Sequence, residues 1–189
     1  KAERLEQRAR QPRLGPAHKI PHPGRAIGGA VVHGEAAERQ SAHQLDIHAF
    51  EPLDSNAELL ERSIAENGFT DRLVFRRAAV GPVSGAATLT FPEETLNSGG
   101  AYLLRDGTAP LAGNQKRQVQ MVALDDIALT RPVRLIKMDV EGAEPLVVRG
   151  AARLLQDDRP LILSELHPTQ LERASGATAD EFLAQMHAL

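Results

Sequence analysis

The chain has 189 residues, 42% of them hydrophobic, a formal charge of −3 and no cysteine. That is enough apolar material for one sizeable core, and the missing thiols exclude disulfides and thiolate metal sites. No apolar run approaches the roughly 20 residues of a spanning helix and no apolar signal segment opens the chain, so the expectation is a soluble, cytoplasmic protein with no membrane partner.

Charge is distributed unevenly. Of the 22 Lys+Arg and 25 Asp+Glu, residues 1–44 hold 8 and 4, which leaves 14 and 21 for the remainder. The first 44 residues also carry four prolines, four of the seven histidines and no aromatic side chain. With no sustained helical or alternating period, they read as a divergent or disordered N-terminal segment. Within it only "GGAVVHG", around Val31 and Val32, has the texture of a short strand. The absence of interleaved aromatics or a nucleic-acid motif argues against a nucleic-acid partner.

From residue 45 to residue 189 the pattern is that of an α/β domain. "LDIHAF" (45–50) reads as a strand. The helix after it is expected to open on a capping box formed by Ser55 and Glu58, with Leu53, Ala57, Leu60 and Ile64 as its apolar stripe. Asn67 and Gly68 can end that helix, and "RLVFRRAAV" (72–80) supplies the next strand. Residues 81–117 read as a long loop over the substrate, with "GPVSG" and "NSGG" as turn chemistry and "ATLTF" (87–91) as a short strand inside it. "KRQVQMVALDDI" is a second alternating segment, with Asp125 and Asp126 as a turn or helix-start pair. "VRLIKMD" (133–139) is the strongest buried strand. Pro145 marks the start of one helix over about 144–156. "RPLILSELHP" (159–168) is a further strand, and Thr178 with Glu181 forms a capping box for the last helix. Strands alternating with helices predict a mostly parallel sheet covered on both faces.

In such sheets ligands bind beyond the carboxyl ends of the strands. Three strands end there in ionisable groups: Glu51, Asp139, and Glu165 with His167. A carboxylate in the position of Glu51 suits a ribose diol, because its two oxygens can accept both hydroxyl protons. A nicotinamide dinucleotide site would need G-x-G-x-x-G about 20 residues upstream, and "GRAIGG" does not supply it at that spacing. An NAD-dependent enzyme is therefore the weaker alternative. Asp139, Glu165 and His167 also have the chemistry of a divalent-cation site, although no metal is expected.

The segments "HAFEPLDSNAELLERSIAENG", "RRAAVG", "NSGGAYL", "ALDDI", "IKMDVEGAEPLVVRGAARLL" and "PLILSELHP" follow one another as in the FkbM-family methyltransferases, which the chain resembles over roughly residues 45–170. The resemblance implies a Rossmann-like class I fold with a mostly parallel seven-stranded sheet and helices on both faces. It also implies S-adenosylmethionine as cofactor and O-methylation of a hydroxyl on a sugar, polysaccharide or natural product. By position, Glu51 corresponds to the ribose-binding acid and Ala78, Ala79 and Val80 to the segment near the adenine. Asp139 corresponds to the residue at the mouth of the donor pocket, with Glu141, Gly142 and Glu144 completing the signature. Glu165 and His167 match the acid and histidine after the next strand. Asp139, His167 and Glu165 are the expected catalytic residues, with His167 or Asp139 as the general base. Glu141 and Glu144 have a structural alternative, accepting backbone N–H groups at a helix start.

One departure stands out. The family's D-x-G-A-N-x-G loop after its first strand is not recognisable in "GRAIGGAVVHGEAAERQSAHQ". The expectation is that the first strand of the sheet is missing or misplaced. A non-catalytic remnant or binding module that keeps the fold is then the alternative to an active methyltransferase.

Overall fold

The computed structural model describes residues 29–35, 45–93 and 100–189. The expected disordered segment over 1–44 thus falls outside the described residues except for 29–35, and "NSGG" does so except for Gly100. Among the described residues two sheets form. The larger contains β1 (Gly29–Glu35), β2 (Leu45–Phe50), β3 (Leu73–Arg76), β8 (Val133–Asp139) and β9 (Leu161–Ser164), in the spatial order β3-β2-β1-β8-β9. The smaller contains β4 (Ala79–Val80), β5 (Gly85–Pro92), β6 (Tyr102–Leu103) and β7 (Asn114–Val122), in the order β4-β7-β5-β6.

Neither is the seven-stranded, mostly parallel sheet expected. In the larger sheet β2 pairs with β3 and β8 with β9 in parallel, while the central β1 runs antiparallel to both of its neighbours. The reason lies in the connection. Only residues 36–44 separate β1 from β2, and a parallel neighbour needs a crossover of roughly a dozen residues or more, whereas an antiparallel one does not. The "GGAVVHG" strand therefore exists, at the centre of the sheet and reversed in direction.

Register places Ala30 opposite Phe50 and Met138, and Val32 opposite His48 and Ile136. Because side chains alternate across a strand, these residues share one face, and Ala30, Val32, Phe50, Ile136 and Met138 are all buried there. Against that face pack Val147 and Val148 of α2 (Glu144–Arg149), Leu154 and Leu155 of α3 (Ala152–Asp158), Leu171 of α4 (Pro168–Ala174) and Phe182 of α5 (Ala179–His187). The second face is not covered everywhere: on β9, Leu161 is 76% and Leu163 58% exposed.

Several local expectations change with the tertiary context. Helix α1 (Asp54–Glu66) begins at Leu53 rather than at a Ser55–Glu58 box, because the Glu51 carboxylate has already taken the Leu53 N–H at 2.8 Å and so fixes the turn one step earlier. Its stripe buries Leu53, Ala57 and Ile64 as expected, and Asn67 with Gly68 at φ +67° ends it. The single strand expected over 72–80 splits into β3 and β4, which join different sheets. The loop expected over 81–117 is largely β5, β6 and the start of β7.

The helix expected over 144–156 is broken at Gly150, which packs so closely on Gly81 that a Cβ there would lie 2.0 Å from the Gly81 carbonyl oxygen. Asp125 sits beside the break, in the 3-10 turn Leu124–Asp126. Its carboxylate accepts the N–H groups of Arg153 and Leu154, each at 2.9 Å, and so caps α3 from outside the helix. The Thr178–Glu181 capping box at α5 is present in both directions.

Candidate functional site

A cleft of about 510 Å³, open to solvent, lies where the carboxyl ends of β2 and β8 meet the smaller sheet. Its floor is Glu51. This residue is only 3% exposed, and its Oε1 accepts the Leu53 N–H while its Oε2 receives the Asn56 amide at 3.5 Å. Burial pushes the Glu51 carboxyl up to about 7, against the opposing effect of those two hydrogen bonds. A carboxylate kept this dry, with lone pairs left over after two bonds, is suited to a ligand that brings its own hydroxyl donors.

Ala78, Ala79 and Val80, all buried, form an apolar wall where the chain crosses from the larger sheet to the smaller. Leu89, Tyr102 and Leu103 close the cleft from the smaller sheet. Tyr102 is held there: its hydroxyl accepts the Leu111 N–H at 3.3 Å, and the Arg173 guanidinium lies 5.6 Å from the ring centre.

The opposite wall is the turn between β8 and α2. Asp139 lines it, with Oδ2 paired to Lys137 Nζ at 3.1 Å. Glu141 lines it as well, at φ +53°, followed by Gly142 at φ +93°. A glutamate held at positive φ costs about 1–2 kcal/mol, so the surroundings must impose the turn. They do so through Gly142, where a Cβ would stand 2.1 Å from the Gln170 carbonyl oxygen. Gln170 Nε2 in turn donates to Glu141 Oε2. Partial burial, then the nearby Asp139, Glu165 and Glu144 carboxylates, push Glu141 up to about 7. Glu144 faces inward instead: it is buried and accepts the Val140 N–H at 3.1 Å, the structural arrangement foreseen for it, and burial raises its carboxyl as well.

The cleft therefore gathers Glu51, Ala78, Ala79, Val80 and Asp139, and leaves Glu165 and His167 outside its lining. Both of those are exposed; His167 opens α4 through its carbonyl, which accepts the Gln170 and Leu171 N–H groups. The cation site considered for Asp139, Glu165 and His167 does not form, since among the described residues no group of three or more His, Asp or Glu side chains is placed to hold a metal. Sequence reasoning missed Asn56, Tyr102 and the cleft-facing side chain of Glu141. Tyr102 is the chain's single tyrosine, a signal that was available; Glu141's direction depends on a backbone angle and was not.

A buried carboxylate thus lies at the carboxyl edge of an α/β sheet, beside a short apolar crossing, in the region where such sheets receive their ligands. The chain belongs to the methyltransferase FkbM domain family, whose model matches residues 24–188. Among solved structures it is similar to the methyltransferase FkbM from Methylobacillus flagellatus KT, with a TM-score of 0.45 and 18% identity over 73% of this chain. The chain spans 29% of the length of that protein. No curated protein matches. Among the described residues no helix is long and apolar enough to cross a membrane.

Proposed function

We infer that this domain binds S-adenosylmethionine in the cleft and transfers its methyl group to a hydroxyl of a small molecule or glycan, in the cytoplasm. The observation that carries the reading is the buried Glu51 carboxylate on the floor of a cleft that also contains Ala78–Val80 and Asp139. Glu51 would accept the ribose hydroxyls, Ala79 and Val80 would lie against the adenine, and Asp139 would mark the donor's amino-acid end. When bound, the cofactor supplies an already activated methyl group, so the protein's share is alignment and removal of one proton.

The direction of β1 favours a second reading, a binding module without turnover. Gly29, at the strand's start, pairs with Asp139 at the cleft edge and Gly34 with Val133, so β1 runs away from the cleft.

Calorimetric titration with S-adenosylhomocysteine separates the outcomes. The active reading expects saturable binding that weakens about tenfold or more in Glu51→Ala, since a hydrogen bond to a charged group contributes about 1.5–3 kcal/mol. No heat at millimolar ligand would sink it.

A further inference from the structure

We propose that Glu141, in the turn between β8 and α2, is the residue that accepts the proton of the acceptor hydroxyl; this rests on the methyltransferase reading of the cleft. The cleft has three acids in its lining, and two are already committed. The lone pairs that Glu51 keeps after its bonds from the Leu53 N–H and Asn56 are assigned to the ribose hydroxyls. Asp139 is paired with the Lys137 ammonium. Glu141 has Gln170 on Oε2, and its Oε1 carries no hydrogen bond among the described residues. The backbone holds it at positive φ, and Gly142 is pressed against the Gln170 carbonyl, so the carboxylate is fixed by two elements rather than left to a surface rotamer.

The balance of the step is simple. The acceptor oxygen forms its bond to the methyl carbon as the carbon–sulfur bond breaks, the pair of that bond stays on sulfur, and the hydroxyl proton passes to Glu141 Oε1 and then to solvent. A base raised to about 7 matches a reaction near neutral pH. The groups that face it are the carboxylates of Asp139 on β8, Glu144 on α2 and Glu165 after β9, together with the Gln170 amide on α4. All three charged neighbours push in the same direction. His167 does not line the cleft and lacks this position.

The test uses the full chain, S-adenosylmethionine, and glycerol, glucose and rhamnose as neutral hydroxyl probes, with S-adenosylhomocysteine formation as the rate. Glu141→Gln, which keeps the side chain's shape and the Gln170 contact, is expected to bind S-adenosylhomocysteine within about threefold of wild type and to lose about 100-fold or more in kcat. Glu141→Asp should recover part of that loss. In wild type at saturating donor, kcat should rise with pH through about 7 and level off above it, and Glu141→Gln should lack that limb. A carboxyl-carbon NMR titration, with the Glu141 signal identified by its disappearance in Glu141→Gln, should show the same midpoint without any turnover.

A kcat within threefold of wild type in Glu141→Gln, a parallel loss of binding and rate, or a Glu141 midpoint near that of an exposed glutamate overturns the proposal. So does a wild type that binds S-adenosylhomocysteine and methylates none of the probes. A wild type that does not bind it overturns the methyltransferase reading instead.

Discussion

Glu51 shows how one side chain can serve the fold and oppose it. Its carboxyl ties the Leu53 N–H and so starts α1, yet its burial raises it from an ordinary 4.5 to about 7. The folded state therefore binds a proton more tightly than the unfolded chain between those two values. The sign follows from linkage: stability from this group is fully present below about 4.5 and is lost as pH rises through about 7, an effect of roughly 3 kcal/mol. Glu51→Gln is expected to leave the melting temperature unchanged near pH 5 and to raise it by several degrees near pH 8. Thermal denaturation followed by circular dichroism at the two pH values checks this, and an equal shift at both would refute the burial account. The same variant should bind S-adenosylhomocysteine more weakly, because an amide accepts through one oxygen where the carboxylate offers two.

At the scale of elements, a helix start can be tied down by a sequence neighbour or by a residue distant in sequence, and both occur here. Thr178 and Glu181 cap α5 within a single turn, and that pattern is visible in the string of residues. Asp125 caps α3 across 28 residues, and the Gly150–Gly81 contact explains why one expected helix becomes two. Asp125→Ala removes the acceptor of two helix-start N–H groups and is expected to destabilise the protein by about 1–2 kcal/mol. Urea denaturation should show this as a lower midpoint with unchanged slope. A change confined to Arg153, whose side chain is largely exposed where it meets Asp125, should cost less than about 1 kcal/mol. An Arg153→Ala effect equal to that of Asp125→Ala would show the ion pair, not the cap, to be the stabilising contact.

For the whole molecule, the decisive feature is the reversed β1 at the centre of the sheet. Val32 is fully buried between β2 and β8, so Val32→Ala should destabilise the domain by about 2 kcal/mol, through lost burial and the cavity left behind. The antiparallel register also predicts backbone NMR contacts from Ala30 to both Phe50 and Met138. Contacts from Ala30 to the opposite ends of those strands would refute it.

The residue pattern was sufficient for the positions of β2, β8 and β9, for the α1 stripe and for the α5 cap, because periodicity and capping are local properties. It also placed Glu51 and Asp139 at strand ends, and the signature around Asp139 was enough to indicate the family. The direction of β1, the splitting of residues 72–80 between two sheets and the turning of 81–117 into strands were decided by the tertiary structure. The first follows from the short 36–44 connection once β1 and β2 are neighbours; the other two depend on which backbone groups remain unpaired once neighbouring strands are in place. The left-handed turn that brings Glu141 to the cleft, while Glu165 and His167 stay outside it, is of the same kind: sequence spacing gives no angle, and only the packing of Gly142 against α4 supplies one.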